Sequence, residues 1–170
     1  TPEAADALAG LKARGVQVHA ASIDVRNMPQ VQEIIDKCGV EFPPLRGVVH
    51  AAAVLRDRPV AEMAAEDIRA AMGAKAQGAW NLHRASLGQP LDFFIGYSSM
   101  TNLAGNYGQA NYGAANEFIE ALARHRQGRG LPALAVGLGV IGGTGIVARD
   151  EGVRAALQAQ GAGILAEEQA

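Results

Sequence analysis

The sequence predicts an α/β fold in which helices cover a doubly wound parallel β-sheet. Short apolar runs bounded by turn residues recur along the chain, at 16–23, 46–54, 91–99 and 131–140. Helical patterns separate these runs, as expected when right-handed crossover helices join parallel strands. The runs are mostly apolar throughout rather than alternating, which is typical of strands buried on both faces.

The predicted helices fill the intervals between these strands and continue after the last one. No internal repeat or low-complexity linker interrupts the series, and the short segment 41–45 is interpreted as a connection within the domain. The 170 residues are therefore predicted to form a single domain with a substantial hydrophobic core. The predicted helices are residues 2–14, 28–37, 59–87, 109–127 and 150–160.

The composition argues against several classes of protein. Fifteen basic and 17 acidic residues give a net charge of −2, which does not favour binding to nucleic acid or to a membrane surface. The single Cys38 excludes an intrachain disulfide and fits a reducing, cytoplasmic compartment. The uncharged run 131–148 contains Pro132 and five glycines, so we interpret it as a strand entering a glycine loop rather than a membrane span. No metal site is predicted.

One feature of nucleotide-binding sheets is missing. Such a sheet normally begins with a strand that leads into a glycine-rich turn, where backbone amides meet a pyrophosphate. This sequence begins directly with a predicted helix. A G-x-G-x-x-G pattern at Gly137, Gly139 and Gly142 follows a strand, but no acidic residue lies about 20 positions further on. We interpret that pattern as the exit loop of the last strand.

A polar stretch between residues 97 and 116 contains the candidate catalytic residues. Tyr112 and Asn116 are spaced i and i+4, so they share one face of the predicted helix, while Ser99 ends a buried strand. A phenol can act as a general acid when a nearby ammonium stabilises its anion, and Lys75 is a candidate for that cation. Taken alone, the spacing is more typical of a turn-rich loop followed by a helix with ordinary core and surface side chains, and both interpretations remain open at this point.

The run from Tyr97 to Arg126 and the following segment 130–149 resemble the ketoreductase domain of polyketide synthases and related fatty acid synthases. That family belongs to the short-chain dehydrogenase/reductase superfamily. Further matches are Asp24–Val25, the segment 47–57 and Lys75, so the similarity extends from about residue 16 to residue 160. The resemblance implies a Rossmann-like sheet without its first strand and glycine-rich turn. The chain then corresponds to the latter part of a ketoreductase catalytic domain.

The resemblance also implies roles for the candidate residues. Tyr112 would protonate the ketone oxygen, and Ser99 would donate a hydrogen bond to the same oxygen. Lys75 would support the tyrosine and contact the cofactor ribose, while Asn116 would complete the proton relay. Simple members of the superfamily carry the lysine four residues after the tyrosine, where this sequence has Asn116. Tyr107, the rival tyrosine, lacks a serine at the matching spacing.

Binding residues follow from the same resemblance, with NADPH as the expected cofactor. Alternatively, His50 is a core histidine, and we assign it no catalytic role. Besides Lys75 and Tyr112, the cofactor contacts are predicted at Asp24, Val25, His50, Ala51, Ala52, Gly139 and Val140. The substrate contacts are predicted at Asp57, Met100 and Gln109.

The implied reaction is NADPH-dependent reduction of a 3-ketoacyl thioester to the 3-hydroxyacyl thioester during polyketide or fatty acid chain building. An acyl carrier protein bearing the phosphopantetheine-bound substrate and the other synthase domains are the implied partners. Where one stereochemical class carries Leu-Asp-Asp, this sequence has Leu55-Arg56-Asp57 and keeps only the second acid, and Ala104 occupies the position at which the other class has a tryptophan. The balance favours the class that yields the D-configured hydroxyl. A catalytically silent, structural ketoreductase-like segment is the alternative. As an isolated chain, the 170 residues are expected to bind the cofactor poorly and to be inactive.

Overall fold

A parallel β-sheet forms the centre of the fold. The computed structural model of the chain describes residues 2–141, 155 and 164–165. Three parallel strands, β1 (Gly47–His50), β2 (Phe93–Ser99) and β3 (Leu134–Leu138), lie side by side in that order. Helices in the intervening segments join them, which confirms the predicted α/β class with its parallel sheet.

The register of the sheet brings the carboxyl ends of the strands to one edge. His50 at the end of β1 is opposite Gly96, and Ser99 at the end of β2 is opposite Leu138. Strand β2 therefore extends three residues beyond the end of β1. In open parallel sheets this is the edge at which ligands bind.

Six α-helices accompany the strands in the described part of the chain. Helix α2 begins where the Asn27 side chain accepts a hydrogen bond from the Gln30 N–H group, and Pro29 occupies its first turn. Helix α6 matches the prediction for 109–127 almost residue for residue. The helices are α1 (Pro2–Ala13), α2 (Met28–Lys37), α3 (Ala65–Met72), α4 (Gly78–Ala85), α5 (Thr101–Ala104) and α6 (Ala110–Gln127).

The segment predicted as one helix over 59–87 is more complex. Its first residues form a short 3₁₀ turn at Val60–Glu62, which precedes α3. A π-helical turn at Gly73–Gln77 lies between α3 and α4. In that turn the Gly78 N–H group bonds the Gly73 carbonyl five residues back as well as the Lys75 carbonyl. The π-turn adds one residue to the helix at the position that carries Lys75.

Helices α4 and α6 pack against one face of the sheet. The core at this face consists of Val48, Ala79, Phe94, Ile119 and Leu122, all buried. Gly96 permits the close approach of α6, because a Cβ atom there would lie 2.6 Å from Cγ2 of Ile119. A second buried cluster joins α2 to α4 through Val31, Ile35 and Ala85.

The opposite face of the sheet is largely open within the described residues. Val49 is 55% exposed, and Phe93 and Leu134 are also exposed. The prediction that both faces are buried is therefore wrong for the part of the chain that the structure describes. The strands looked continuously apolar because the residues of the open face are themselves apolar, so no alternation is visible in the sequence.

Several predicted element bounds are also wrong. Residues 16–23 are not a strand, because no other described strand provides the ladder hydrogen bonds that an extended segment needs. The strand predicted over 46–54 ends at His50. The strand predicted over 131–140 ends at Leu138, and β4 (Val140–Ile141) pairs instead with β5 (Ile164–Leu165) in a separate parallel sheet. The helix predicted over 150–160 lies outside the described residues, apart from residue 155.

A buried polar pair links α4 to α6. The Arg126 Nη1 group donates a hydrogen bond of 2.9 Å to Nδ1 of His83, and the guanidinium stacks 4.1 Å from the centroid of the Phe94 ring. Burial, with a smaller contribution from the Arg126 charge, lowers the pKa of His83 to about 4. His83 therefore acts as a neutral acceptor at neutral pH. Among the described residues, no helix combines the length and the apolar character needed to cross a bilayer.

Candidate active site

Lys75 and Tyr112 come together near the carboxyl edge of the sheet. Lys75 lies in the π-turn before α4, and Tyr112 lies in the first turn of α6. The Lys75 Nζ atom is 5.2 Å from the centroid of the Tyr112 ring, a cation–π distance. Two residues that are 37 positions apart in the sequence are thus in contact, one buried and one partly buried.

The Lys75 ammonium is almost completely buried, with 3% of the residue exposed. Burial lowers its pKa from 10.5 to about 8, so the side chain still carries a charge at neutral pH. Among the described residues, its Nζ atom has no hydrogen-bond acceptor, and it lies over the Tyr112 ring. The three N–H donors are therefore available to a ligand oxygen.

Asn116 lies one helical turn after Tyr112 in α6 and is bonded to its backbone. It is completely buried, and its Nδ2 group donates a hydrogen bond of 2.9 Å to the Tyr112 carbonyl. Its Oδ1 atom is buried and has no hydrogen-bond partner within the described structure. Such an acceptor is costly to bury unpaired, which indicates a missing donor such as a water molecule or a ligand.

The end of β2 is attached to α6 beside the candidate residues. Ser98 donates a hydrogen bond of 2.9 Å to Glu120 and approaches the Asn116 carbonyl at 3.5 Å. Ser99 follows it, and the Ser99 hydroxyl accepts a hydrogen bond of 3.3 Å from the Thr101 N–H group. The chain then returns to Tyr112 through α5 and two glycines with positive φ, at 105 and 108. Ser99 thus lies at the carboxyl end of β2, at the edge where open parallel sheets bind ligands.

Asp24 and Val25 lie in the turn before α2. The Asp24 carboxylate forms a salt bridge of 2.6 Å with Arg26, which holds the pKa of that carboxyl below its usual value. Val25 packs directly on Gly78, where a Cβ atom would lie 2.7 Å from its Cγ2 atom. The Val25 carbonyl accepts a hydrogen bond of 2.9 Å from Nδ2 of the buried Asn81. This turn is therefore fixed to the helix that carries Lys75.

The other predicted cofactor residues surround the same edge. His50 is buried, and its Nε2 atom lies 2.9 Å from the Lys75 carbonyl oxygen. Ala51 and Ala52 follow β1 without regular structure. Gly139 is exposed between β3 and β4, and Val140 begins β4. Of these residues, the structure connects only His50 directly to the Lys75 turn.

The predicted substrate residues lie on two loops that are joined to each other. Gln109 donates a hydrogen bond of 2.7 Å to the Asp57 carboxylate, and the Arg58 N–H group donates one of 2.8 Å to the Gly108 carbonyl. Met100 is half-exposed at the end of β2. An open cleft of about 710 Å³ runs between the two loops, and its lining includes Gln109.

Two supporting asparagines were missed by the sequence interpretation. Asn81 holds Val25, and Asn111 donates hydrogen bonds to the carbonyls of Arg56 and Asp67. Both are buried polar residues on helix faces that otherwise pack apolar side chains. A polar residue at a core position was the available signal, because buried amides are almost always hydrogen-bonded.

Comparison with known proteins places the chain in a family. The family model described as KR domain matches residues 1–143. The chain is 43% identical over 169 residues to the highly reducing polyketide synthase poxF of Penicillium oxalicum, covering 99% of the chain. It is 41% identical over 143 residues to the lovastatin diketide synthase mokB of Monascus pilosus, covering 84% of the chain. The chain therefore belongs to the KR domain family, the ketoreductase domains of polyketide synthases.

Solved structures agree with this assignment. The ketoreductase PlmKR1 from the first module of phoslactomycin biosynthesis in Streptomyces sp. HK803 matches 99% of the chain with a TM-score of 0.91 and 36% identity. An A1-type ketoreductase matches the whole chain with a TM-score of 0.93 and 34% identity. The chain spans 38% and 36% of these two proteins, respectively. It spans 7% of the length of poxF and 6% of mokB.

Proposed function

We propose that this chain contributes the proton-donating centre of a synthase ketoreductase. The parent protein would reduce a 3-ketoacyl thioester, held on an acyl carrier protein, to the 3-hydroxyacyl thioester with NADPH. The observation that carries the proposal is the buried Lys75 ammonium against the Tyr112 ring, near the ligand-binding edge of a parallel sheet. Residues 1–170 would then be the latter part of the catalytic domain.

Tyr112 acts as the acid in this proposal. Reduction of a ketone places negative charge on the carbonyl oxygen, and the phenol supplies a hydrogen bond and then a proton to that oxygen. The tyrosinate that results is stabilised by the nearby Lys75 cation, because the buried lysine is poorly screened by water. Ser99, at the end of β2, would hold the same carbonyl oxygen through its hydroxyl group.

The residues present fit a nicotinamide cofactor, which would supply the hydride. Lys75 offers N–H donors without a protein acceptor among the described residues, as a ribose hydroxyl requires. The unpaired Oδ1 atom of Asn116 can accept from a water molecule that returns a proton toward Tyr112. The Asp24 carboxylate, although bonded to Arg26, remains partly exposed and can accept a further donor.

The cleft beside Gln109 suits a substrate that arrives on a long arm. It is open rather than enclosed, and its lining includes Pro59, Val60 and Ala61 on one side and residues between 101 and 110 on the other. We propose that the pantetheine arm lies in this cleft beside Gln109 while the carrier protein stays outside. Met100 at the end of β2 would contact the acyl group.

The test is a pair of tyrosine variants in the full-length synthase. Tyr112→Phe removes only the hydroxyl, so folding and NADPH binding should persist while ketone reduction falls by at least about a hundredfold. Tyr107→Phe is the matched control, because Tyr107 is 80% exposed and should tolerate the loss. Reduction is followed by NADPH absorbance with a 3-ketoacyl thioester, and binding by NADPH fluorescence.

Three results would reject the proposal. Wild-type protein that binds NADPH but reduces no 3-ketoacyl thioester would identify the silent, structural alternative. Normal turnover in the Tyr112 variant would remove the residue from the chemistry. A large loss in the Tyr107 variant alone would show that the catalytic register is wrong.

A further inference from the structure

We propose that His50 is a positioning residue that fixes the backbone of Lys75. The proposal rests on the proposed function, in which Lys75 supports Tyr112. The Nε2 atom of His50 lies 2.9 Å from the Lys75 carbonyl oxygen, and both residues are 3% exposed. A carbonyl can only accept a hydrogen bond, so Nε2 carries the proton and donates it.

The π-turn explains how this carbonyl can be bonded from outside the helix. In a regular α-helix, the Lys75 carbonyl would face the N–H group four residues later. In the turn Gly73–Gln77 the hydrogen-bond pattern is displaced, and the Gly78 N–H group is shared between the Gly73 and Lys75 carbonyls. The Lys75 oxygen receives the shared Gly78 N–H group, and His50 supplies a further donor from outside the helix.

Gly78 gives the imidazole access to the helix. It lies one turn after Lys75, and a Cβ atom there would be 3.2 Å from Cε1 of His50. The ring therefore rests against helix backbone where any larger residue would push it away. The displaced hydrogen bonds of the π-turn and the absence of a side chain at Gly78 both permit the hydrogen bond between His50 and the Lys75 carbonyl.

His50 also connects Lys75 to the central β-sheet. It ends β1, where the register pairs it with Gly96 in the middle of β2. Position errors of about 1 Å in a catalytic group can cost roughly a hundredfold in rate. Because Lys75 Nζ has no protein acceptor among the described residues, the position of its charge depends on the backbone that His50 holds.

The test compares His50→Gln with His50→Asn in the full-length synthase. Both variants introduce an amide, but the glutamine amide reaches the position of imidazole Nε2 and the asparagine amide stops one bond short. The asparagine variant should lose about tenfold to a hundredfold in kcat at saturating NADPH, and the glutamine variant should recover at least about fivefold of that loss. Because His50 is also a predicted cofactor contact, the NADPH dissociation constant of both variants is measured by fluorescence, and only the loss that persists at saturating NADPH is assigned to the position of Lys75.

A structural readout separates this proposal from the proposed function. The structures of both variants should be determined. In the glutamine variant, Lys75 Nζ should lie near its wild-type distance of 5.2 Å from the Tyr112 ring centroid, and in the asparagine variant it should be displaced. This outcome supports positioning even if the wild-type protein reduces no ketone and the proposed function fails.

The opposite outcomes overturn the proposal. An asparagine variant with wild-type kcat and an undisplaced Lys75 would show that the contact is incidental. A glutamine variant that folds but is as impaired as the asparagine variant would show that the donor position is irrelevant. If the asparagine variant does not fold, the glutamine variant alone decides by its kcat and its Lys75 position.

Discussion

Replacing Lys75 by methionine should make the protein more stable while removing the proposed ketone reduction. Methionine keeps the straight side chain and its apolar contacts but has no charge to desolvate. The ammonium lies over the Tyr112 ring and has no hydrogen-bonded acceptor among the described residues. A charge retained at such a position is a cost to folding, as expected when a group serves chemistry rather than stability.

The size of this effect follows from the pKa of Lys75. Burial lowers that pKa from 10.5 to about 8, and a tenfold change in a protonation equilibrium corresponds to about 1.4 kcal/mol. The cost of keeping the lysine charged is therefore about 3 kcal/mol as an upper limit. Cation–π attraction to Tyr112 and residual solvent screening reduce it, so we expect Lys75→Met to raise the free energy of unfolding by about 1–3 kcal/mol at neutral pH.

The sign of the pH dependence provides a second check. The unfolded lysine binds its proton more tightly than the folded one, so wild-type stability falls as the pH falls from about 10.5 to about 8. Below about pH 8 the full cost is present. The advantage of the methionine variant should thus be largest near neutral pH and should shrink toward pH 10.

Urea unfolding of wild type and variant at about pH 7 and about pH 10 measures both effects. Lys37→Met is the matched control, because Lys37 forms an exposed salt bridge with Glu33 that raises its pKa. Lys37→Met should lower the free energy of unfolding slightly, whereas Lys75→Met should raise it. A Lys75 variant less stable than wild type at neutral pH, or an advantage equal at both pH values, would refute the reasoning.

Other regions of the fold give independent predictions. Gly96→Ala should lower the melting temperature by about 3–10 °C, because the new methyl group meets the buried Ile119 side chain. Gly47→Ala brings an alanine against the Phe93 ring, but that ring is partly exposed and can swing away, so thermal unfolding should show a smaller loss. Since burial lowers the pKa of His83 to about 4, stability should be complete above about pH 6.5 and should fall between about pH 6.5 and pH 4. A flat stability profile across that range would contradict the neutral assignment of this histidine.

The local signals in the sequence were sufficient for several helices. Asn27 and Pro29 mark the start of α2 because capping and proline geometry depend only on neighbouring residues. Helix α6 was equally accessible, since it follows glycines at 105 and 108 and continues for five turns with helical spacing. Such elements depend on short stretches of chain, which a pattern can represent.

The misread elements depend on distant partners. Residues 16–23 have strand-like composition, but a strand exists only where another strand pairs with it. The open face of the sheet was hidden for a similar reason, because Val49 and Phe93 are apolar whether or not anything covers them. Burial is a property of the assembled fold, and composition alone cannot report it.

Some contacts of the candidate site could be predicted from the sequence, and others could not. The i, i+4 spacing placed Tyr112 and Asn116 on one helix face, and the structure joins them through a hydrogen bond. No local pattern could connect either residue to Lys75, so the resemblance to synthase ketoreductases provided that link. The hydrogen bond from His50 to the Lys75 carbonyl escaped both approaches, since it depends on a π-turn that the sequence does not reveal.

The π-turn also determines how many residues this helix can contain. Upstream of it, Ala71 is buried, and downstream Ala79 and His83 are buried, so both halves are fixed by packing. An α-helix rotates by about 100° per residue, and removing one residue within 73–77 could be absorbed by reverting to regular α-geometry. The same deletion elsewhere in 65–85 would turn one half out of the core. Natural variation in the length of this helix should therefore concentrate at the five positions 73–77. A relative that lacks one residue there is expected to carry its lysine on a regular α-helix without a π-turn.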